Sequence, residues 1–391
     1  MKKCLLSISI MFLVMLSTTH VYGEKKESSD STQIVSDVES AILMEQDTGK
    51  IIFDKNVHEK LPPASMTKIM TLLLIMEELD KGNLKKNELV RISENASSMG
   101  GSQVFLETGE EMTVDDLLKS IAIASGNDAS VALAERIAGS EEAFVKMMND
   151  KVKELQLKNT KFQNSSGLPA DDHYSTAYDM AIIANELLKY ESITDYTSIY
   201  EDYLRKGTDN EFWLVNTNKL VKFYPGVDGL KTGYTNEAKY CLAATAKKND
   251  MRMIAVVMGA DTVKERNANI ANMLDYAYNH FETNKLFGQG DTITHLNMFK
   301  ADQQQIDVTT RQPVSLLFKK GESTVDDVTT HVKLHDHIEL PLHKGEQVGV
   351  LTVKNKDEVV SKTPLIVTED IDRASYFKLW KRSLQKLSKS Y

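Results

Sequence analysis

The stretch Ala64-Ser65-Met66-Thr67-Lys68-Ile69-Met70-Thr71-Leu72-Leu73-Leu74-Ile75-Met76-Glu77-Glu78-Leu79 organises everything around it. Its apolar residues fall on nearly every side of a helical wheel, which predicts a helix buried all round in the middle of a domain. Asp80-Lys81-Gly82 ends it, with glycine placed for a C-cap. Ser65 and Lys68 stand at i and i+3 and so share a face. A serine hydroxyl is a weak nucleophile until a base takes its proton. A lysine enclosed by apolar neighbours loses basicity and can be that base. A helix N-terminus adds free N–H groups and a positive dipole end suited to an oxyanion. Spacing alone is weak, because Ser375-Tyr376-Phe377-Lys378 and Ser383-Leu384-Gln385-Lys386 repeat it; only Ser65 opens a strongly apolar helix.

On either side the chain reads as strands, helices, strands and a helix. Ala41–Met44 and Lys50–Phe53 flank Asp47-Thr48-Gly49, a hairpin signal. Thr113 and Asp116 form a capping box opening a helical segment to Ala138, broken at Ser125-Gly126-Asn127. A second box, Thr176–Asp179, opens a helix to about Tyr190, and Asp179 is read as its cap and not as a catalytic acid. Cys241–Ala246 and Met253–Gly259 are β-rich runs around Lys248-Asn249-Asp250, and Asn267–Phe281 is helical in character. The expected class is α/β (α+β), an antiparallel sheet with helices packed on it, over residues 38–284. Beyond it, short alternating runs at Val314–Leu316, Val328–Leu334, Ile338–Leu340 and Val348–Thr352 predict a small all-β domain over 285–368.

The 391 residues are 41% hydrophobic and 26% charged, a globular balance that excludes disorder and collagen-like repeats. The net charge of −9 is unevenly spread. Residues 1–23 carry Lys2, Lys3, the apolar run Cys4–Leu16 and Val21-Tyr22-Gly23, which reads as a secretory signal; an uncleaved anchor or a buried strand is the alternative. A polar spacer covers 24–37. Residues 372–391 hold six cations against Asp372, leaving a body of −16 over 24–371. An acidic body excludes general nucleic-acid binding, which needs clustered cations. In the tail, Tyr376, Phe377, Trp380, Leu384, Leu387 and Tyr391 share one helical arc opposite Lys378, Arg382, Lys386 and Lys389. That pattern over 369–391 predicts a helix lying in a membrane surface, with packing on the β domain as the alternative. Once the signal is removed Cys241 stands alone, so neither an intramolecular disulfide nor a cysteine-based zinc site is expected. His335-Asp336-His337 lacks a third ligand nearby and reads as solvated surface; no metal and no cofactor is expected.

Two further polar elements are candidates for chemistry. Ser125-Gly126-Asn127 interrupts two apolar helical segments, which puts polar groups inside the core, where they need partners. Its serine can relay a proton and its asparagine can hold a substrate amide; the plain alternative is a helix–helix turn. Ser93-Glu94-Asn95 repeats the S-x-N pattern without that setting. Lys231-Thr232-Gly233 follows Gly226-Val227-Asp228-Gly229-Leu230 and precedes a β-rich run. Lys231 supplies positive charge, and Gly233 leaves room for a substrate alongside a strand edge; alone, the tripeptide would be a surface strand.

Together S-x-x-K, S-x-N and K-T-G occur in the order and separation seen in class A β-lactamases and penicillin-binding proteins. Ala64–Lys68, Ile123–Asp128, Ser175–Asp179 and Gly226–Thr235 resemble the low-molecular-mass D-alanyl-D-alanine carboxypeptidases, most of all their sporulation-associated, DacF-like members. The resemblance implies a serine β-lactamase/transpeptidase-like fold and a serine carboxypeptidase that removes the terminal D-alanine of peptidoglycan stem pentapeptides. It implies inhibition by β-lactams, and an exported, extracytoplasmic protein held peripherally on the membrane by its C-terminal helix. It implies that Ser65 is acylated, that Lys68 is its base, and that Ser125 and Asn127 support proton transfer and amide binding. Lys231, Thr232 and Gly233 would receive the substrate's end, with Arg266 assisting at its carboxylate and the backbone N–H groups of Ser65 and Tyr234 forming the oxyanion hole. Gly126 stands where β-lactamases carry Asp, which favours the carboxypeptidases. Lys239 replaces the Gly of many relatives, which bears on substrate preference and not on the reaction. Asp172 and His173 receive no role.

Three other functions share these motifs. A class A β-lactamase deacylates with a glutamate on the loop after the second motif, and no Glu occurs between Glu154 and Glu186. A DD-endopeptidase would cut cross-links with similar residues. A module that binds penicillin or cell wall without turnover is the non-enzymatic alternative.

Overall fold

The computed structural model of the protein describes residues 34–310, 312–322, 328–356 and 358–388. The expected export segment 1–23, most of the spacer, and Lys389 and Tyr391 of the tail lie outside the described residues.

The centre is a five-stranded sheet in the order β2-β1-β9-β8-β7, antiparallel throughout. Its strands are β1 (Ser40–Glu45), β2 (Ile51–Lys55), β7 (Val227–Thr235), β8 (Lys239–Lys248) and β9 (Met251–Ala260). Between β2 and β7 lie two small ladders, β3 (Leu89–Arg91) with β4 (Glu111–Thr113) and β5 (Glu201–Leu204) with β6 (Phe212–Val215). The strand side chains alternate between two cores, as a period of two requires. Ile42, Ala243, Ile254 and Val256 face the helical layer, while Leu43, Leu242, Ala244 and Val257 face the other side. The helical layer holds α1 (Lys68–Asp80), α2 (Glu94–Ser97), α3 (Val114–Ala122), α4 (Asn127–Ala138), α5 (Glu141–Glu154), α6 (Ala177–Leu187) and α7 (Thr194–Thr197), whereas α8 (Leu220–Phe223) buries Leu220 in the core on the opposite face. The opposite face is covered by α9 (Val263–His280) through Ile270, Met273, Leu274 and Ala277. Helix α1 is buried from Lys68 to Glu77, as its all-round apolar surface predicts.

Helix α1 differs from its expected span. Ala64–Thr67 form a 3₁₀ turn and the α-helix begins only at Lys68. Ala64 sits at φ 47, a left-handed conformation that an alanine adopts only under constraint. Helix α9 begins at Val263, before the expected Asn267, because Thr262 caps it by accepting from Glu265 N–H at 3.1 Å. Thr113 and Thr176 cap their helices by accepting from the Asp116 and Asp179 N–H groups, while the Asp179 carboxylate accepts from Asn159 N–H and Thr160 Oγ1.

From Phe281 the chain is all β. Strand β10 (Phe281–Phe287) pairs with β13 (Val314–Lys319). A sheet runs β11-β12-β16-β15-β14, from Thr294–Asn297, Gln305–Thr310, Glu358–Val367, Gln347–Asn355 and Val328–Leu334 respectively. The expected run Ile338–Leu340 is a loop before Pro341, which lacks a ladder donor; Leu340 still plugs the third core. Helix α10 (Tyr376–Ser388) closes the described chain.

Candidate active site

The 3₁₀ turn that leads into α1 presents Ser65 beside Lys68, whose side chain is fully buried. Lys68 Nζ lies 3.1 Å from Ser65 Oγ, 2.6 Å from Asn127 Oδ1 and 2.6 Å from the Ser166 carbonyl. Those three acceptors use all the donors of an ammonium. Burial, then the Lys231 charge, hold the Lys68 amine well below its ordinary pKa, and Asp128 opposes them. A base that is easily neutralised is what activation of a serine needs. Asn127 is committed on both sides, because its Nδ2 donates to the Gly100 carbonyl at 2.6 Å. Asp128, the next residue, accepts from the N–H groups of Val104 and Leu106 at 3.0 and 3.2 Å.

Ser125 sits in the break between α3 and α4 at φ 64. Its Oγ is buried and has no hydrogen-bond partner among the described residues. A buried, unpartnered hydroxyl is a group held for a bond it has yet to make.

Strand β7 is an edge of the main sheet and carries the third motif against the Ser65 turn. A Cβ on Gly233 would stand 2.7 Å from the Pro63 carbonyl and 3.3 Å from Met66 N. The glycine is thus required by the approach of β7 to the Ser65 turn itself, a more specific reason than room for substrate. Thr232 Oγ1 donates to Thr217 Oγ1 at 2.8 Å. Lys231 is fully buried; desolvation first, then Arg266, bring its pKa down to about 7. Arg266, in the first turn of α9, donates to Asn267 Oδ1 and is held at about 10 by burial. Lys231 and Arg266 make a buried cationic locus in an acidic chain, suited to a carboxylate. Tyr234 is exposed, with its ring 4.5 Å from that of Tyr240. Lys239 adopts φ 54, a conformation natural to glycine, and its Nζ meets Asp261 at 2.9 Å and Glu39 at 3.5 Å.

Next to the Ser65 turn lies a cavity of about 510 Å³ bordered by Pro63, Ala64, Gly167, His173, Thr235 and Glu237. Gly167 is tight as well, since a Cβ there would fall 1.9 Å from the Ala64 carbonyl. Sequence reasoning missed the Ser166 and Gly100 carbonyls, Thr217 and the anchoring role of Asp128. Backbone carbonyls leave no trace in a sequence; an acid directly after S-x-N was the one available signal. His335 and His337 are exposed in their loop. Among the described residues no group of three His, Cys, Asp or Glu side chains is placed to hold a metal ion.

A family model described as D-alanyl-D-alanine carboxypeptidase matches residues 25–262, and one described as penicillin-binding protein 5, C-terminal domain, matches 281–373. The chain is 54% identical to the D-alanyl-D-alanine carboxypeptidase DacF of Bacillus subtilis, covering 98% of each. It is 34% identical to DacA of Escherichia coli over 87% of this chain and 85% of the relative. Penicillin-binding protein 5 from Haemophilus influenzae superimposes with a TM-score of 0.66 at 30% identity, over 86% of this chain and 97% of that one.

Proposed function

Because the chain belongs to the D-alanyl-D-alanine carboxypeptidase family, we propose that its serine-type carboxypeptidase activity runs through Ser65 and Lys68 on peptidoglycan stem pentapeptides. The observation that carries this reading is the 3.1 Å contact between Ser65 Oγ and the buried Lys68 amine. In its neutral form Lys68 takes the Ser65 proton, and Oγ attacks the carbonyl carbon of the D-Ala–D-Ala bond. The oxyanion is held by the N–H groups of Ser65 and Tyr234. The departing D-alanine nitrogen takes a proton relayed by Ser125, and water then hydrolyses the ester on Ser65. Lys231, Thr232 and Arg266 receive the terminal carboxylate, and the stem lies along the free edge of β7 past Gly233, towards the cavity at Thr235 and Glu237. A β-lactam acylates the same serine and stays. Labelled benzylpenicillin and D-alanine release, measured on wild type and Ser65→Ala, test this. Both signals vanish in the variant if the reading holds, and either one persisting overturns it.

Two finer statements are proposed with it. The segment 1–23 is a signal that exports the enzyme to the extracytoplasmic face, where peptidoglycan lies. The tail rests on the membrane surface through α10. Tyr376 and Phe377 are 93% and 71% exposed and Trp380 61%, while Arg382 on the other face donates to the Phe299, Ala301 and Asp302 carbonyls. A helix that docks by its cations and leaves its aromatics in water supports a lipid-facing role. Among the described residues no helix is long and apolar enough to cross a membrane. Placement in the sporulation-associated branch is proposed on the extent of the match to DacF.

A further inference from the structure

His173 had no role in the sequence reading, yet it is tied to the motif that carries the nucleophile. Its ring is buried, and Nδ1 accepts from the Gln163 N–H at 3.2 Å. In the neutral ring the proton therefore sits on Nε2, which donates to Thr67 Oγ1 at 2.8 Å. Burial depresses the ring's pKa to about 4, so it is neutral at physiological pH. The ring also packs edge-on against Phe162, with centroids 5.8 Å apart. Thr67 is fully buried and lies between Ser65 and Lys68 on the 3₁₀ turn.

Two side chains at the start of α1 also tie to this segment, residues 165–173. Lys68 donates to the Ser166 carbonyl and Thr71 to the Ser165 carbonyl, each at 2.6 Å. In both, the segment offers only backbone. The bond from His173 is the one of the three made by a side chain of the segment. It also reaches the residue whose position sets the angle between Ser65 and Lys68.

We propose that His173 is a positioning residue for the reaction, a neutral brace that acts through Thr67 to hold Ser65 and Lys68 in attack geometry. The inference rests on Ser65 and Lys68 being the reacting pair. Misplacing a reacting group by a fraction of an ångström slows chemistry far more than it weakens binding.

The test is acylation by benzylpenicillin, with the rate at saturation separated from the apparent affinity, in wild type and five variants. In His173→Gln the terminal amide still donates to Thr67 but no longer accepts from Gln163. His173→Asn does the reverse. Thr67→Val removes the acceptor and Thr67→Ser keeps it. The expected result is a loss of about tenfold in the saturated rate for His173→Asn and Thr67→Val, with apparent affinity little changed. His173→Gln and Thr67→Ser stay within about threefold of wild type, and the double variant His173→Asn/Thr67→Val is no slower than its slower parent. The proposal is overturned if His173→Asn acylates at the wild-type rate, or if the losses multiply in the double variant. Should His173→Asn fail to fold, the Thr67→Val and Thr67→Ser pair interrogates the same bond and decides by the same criterion. A wild type that takes no penicillin would sink the Ser65 reading itself, an outcome visible before any variant is compared.

Discussion

Ser65 and Lys68 share their spacing with Ser375 and Lys378, and with Ser383 and Lys386, and the contrast shows what the spacing does and does not specify. At the start of α1 the lysine is fully buried and its amine reaches the serine oxygen. At the start of α10 Ser375 Oγ only accepts from the Lys378 backbone N–H, at 3.3 Å, while the Lys378 ammonium pairs with Asp302 in the open. Ser383 Oγ donates to the Leu379 carbonyl at 2.9 Å, an ordinary helix-surface bond. The same i, i+3 geometry is therefore a capping device on a wet helix and, on a dry one, a buried contact between amine and hydroxyl that suits the proposed nucleophile and base. The difference lies in the medium around the lysine, because desolvation lowers its basicity and water restores it.

The sharpest way to break that contrast is to remove one hydroxyl at a time. Ser65→Ala should reduce D-alanine release by at least about 10⁴-fold and abolish penicillin labelling. Next in size is Lys68→Arg, which keeps the charge and loses the base. A guanidinium cannot be neutralised at any working pH, so acylation should fall by about 10²–10⁴-fold with Ser65 intact. Recovery of normal acylation in Lys68→Arg, followed by stopped-flow with a chromogenic β-lactam, would mean that burial of the amine is not what distinguishes α1. Gly233→Ala tests the wall of the dry site. The new methyl would collide with the Pro63 carbonyl and push the 3₁₀ turn away from β7, slowing acylation by about 10- to 100-fold. An unchanged rate in a folded Gly233→Ala would show that the turn tolerates the displacement.

How much of this was legible beforehand follows the same division. A helix apolar on all sides has one physical solution, burial, so α1 and its polar pair could be read directly. The break at Ser125-Gly126-Asn127 was legible because two apolar segments frame it. What could not be read was made by backbone or by context. The Ser166 and Gly100 carbonyls that hold Lys68 and Asn127 have no residue signature. The left-handed Ala64 and the close packing of Gly167 on its carbonyl are tertiary features that no local pattern announces. The start of α9 was missed because Val263-Lys264-Glu265 looks like polar loop until Thr262 is seen to cap it. Strand β16 was missed because Pro364 lies inside it and proline argues against a strand. Here the proline is accommodated opposite Val350.

Acidity separates the two buried lysines by a smaller effect. In the proposed role Lys231, at about 7, receives a carboxylate only while charged. As pH rises from 7 to 8, KM for a peptide with a free C-terminus should increase by roughly three- to tenfold, while a C-terminally amidated analogue shows no such rise. The Lys68 limb runs the other way, because the proposed base acts in its neutral form, so the saturated rate should climb with pH. For stability the sign is set by the depressed value. The folded protein gives up the Lys231 proton more readily than the unfolded chain. The term is therefore most favourable above the unfolded value of 10.5 and is lost as pH falls through about 7. Lys231→Met should consequently raise Tm at pH 7 by a few degrees and remove the KM limb. A fall in Tm would show that this charge is compensated in the free enzyme.

The smallest expected effect completes the contrast. Ser375→Ala and Ser383→Ala should leave acylation and D-alanine release unchanged, since neither hydroxyl has a buried amine beside it. Stability should move by less than about 0.5 kcal/mol, the usual range for a surface substitution. Truncation before Asp372 enlarges the same test. Loss of α10 removes both decoy motifs together with the aromatic face, and none of the hydrogen bonds described around Ser65 and Lys231 involves it. Turnover of a soluble pentapeptide should therefore persist while sedimentation with anionic lipid vesicles disappears. If truncation reduced soluble turnover, the tail would be acting on the catalytic turn, and the line between a dry, chemical S-x-x-K and a wet, structural one would have to be redrawn. If the truncated chain still sedimented, the aromatic face would not be what meets the lipid. The two readouts are separable because Arg382 ties α10 to the Phe299, Ala301 and Asp302 carbonyls of the all-β region, and none of the hydrogen bonds described around Ser65 runs through that loop.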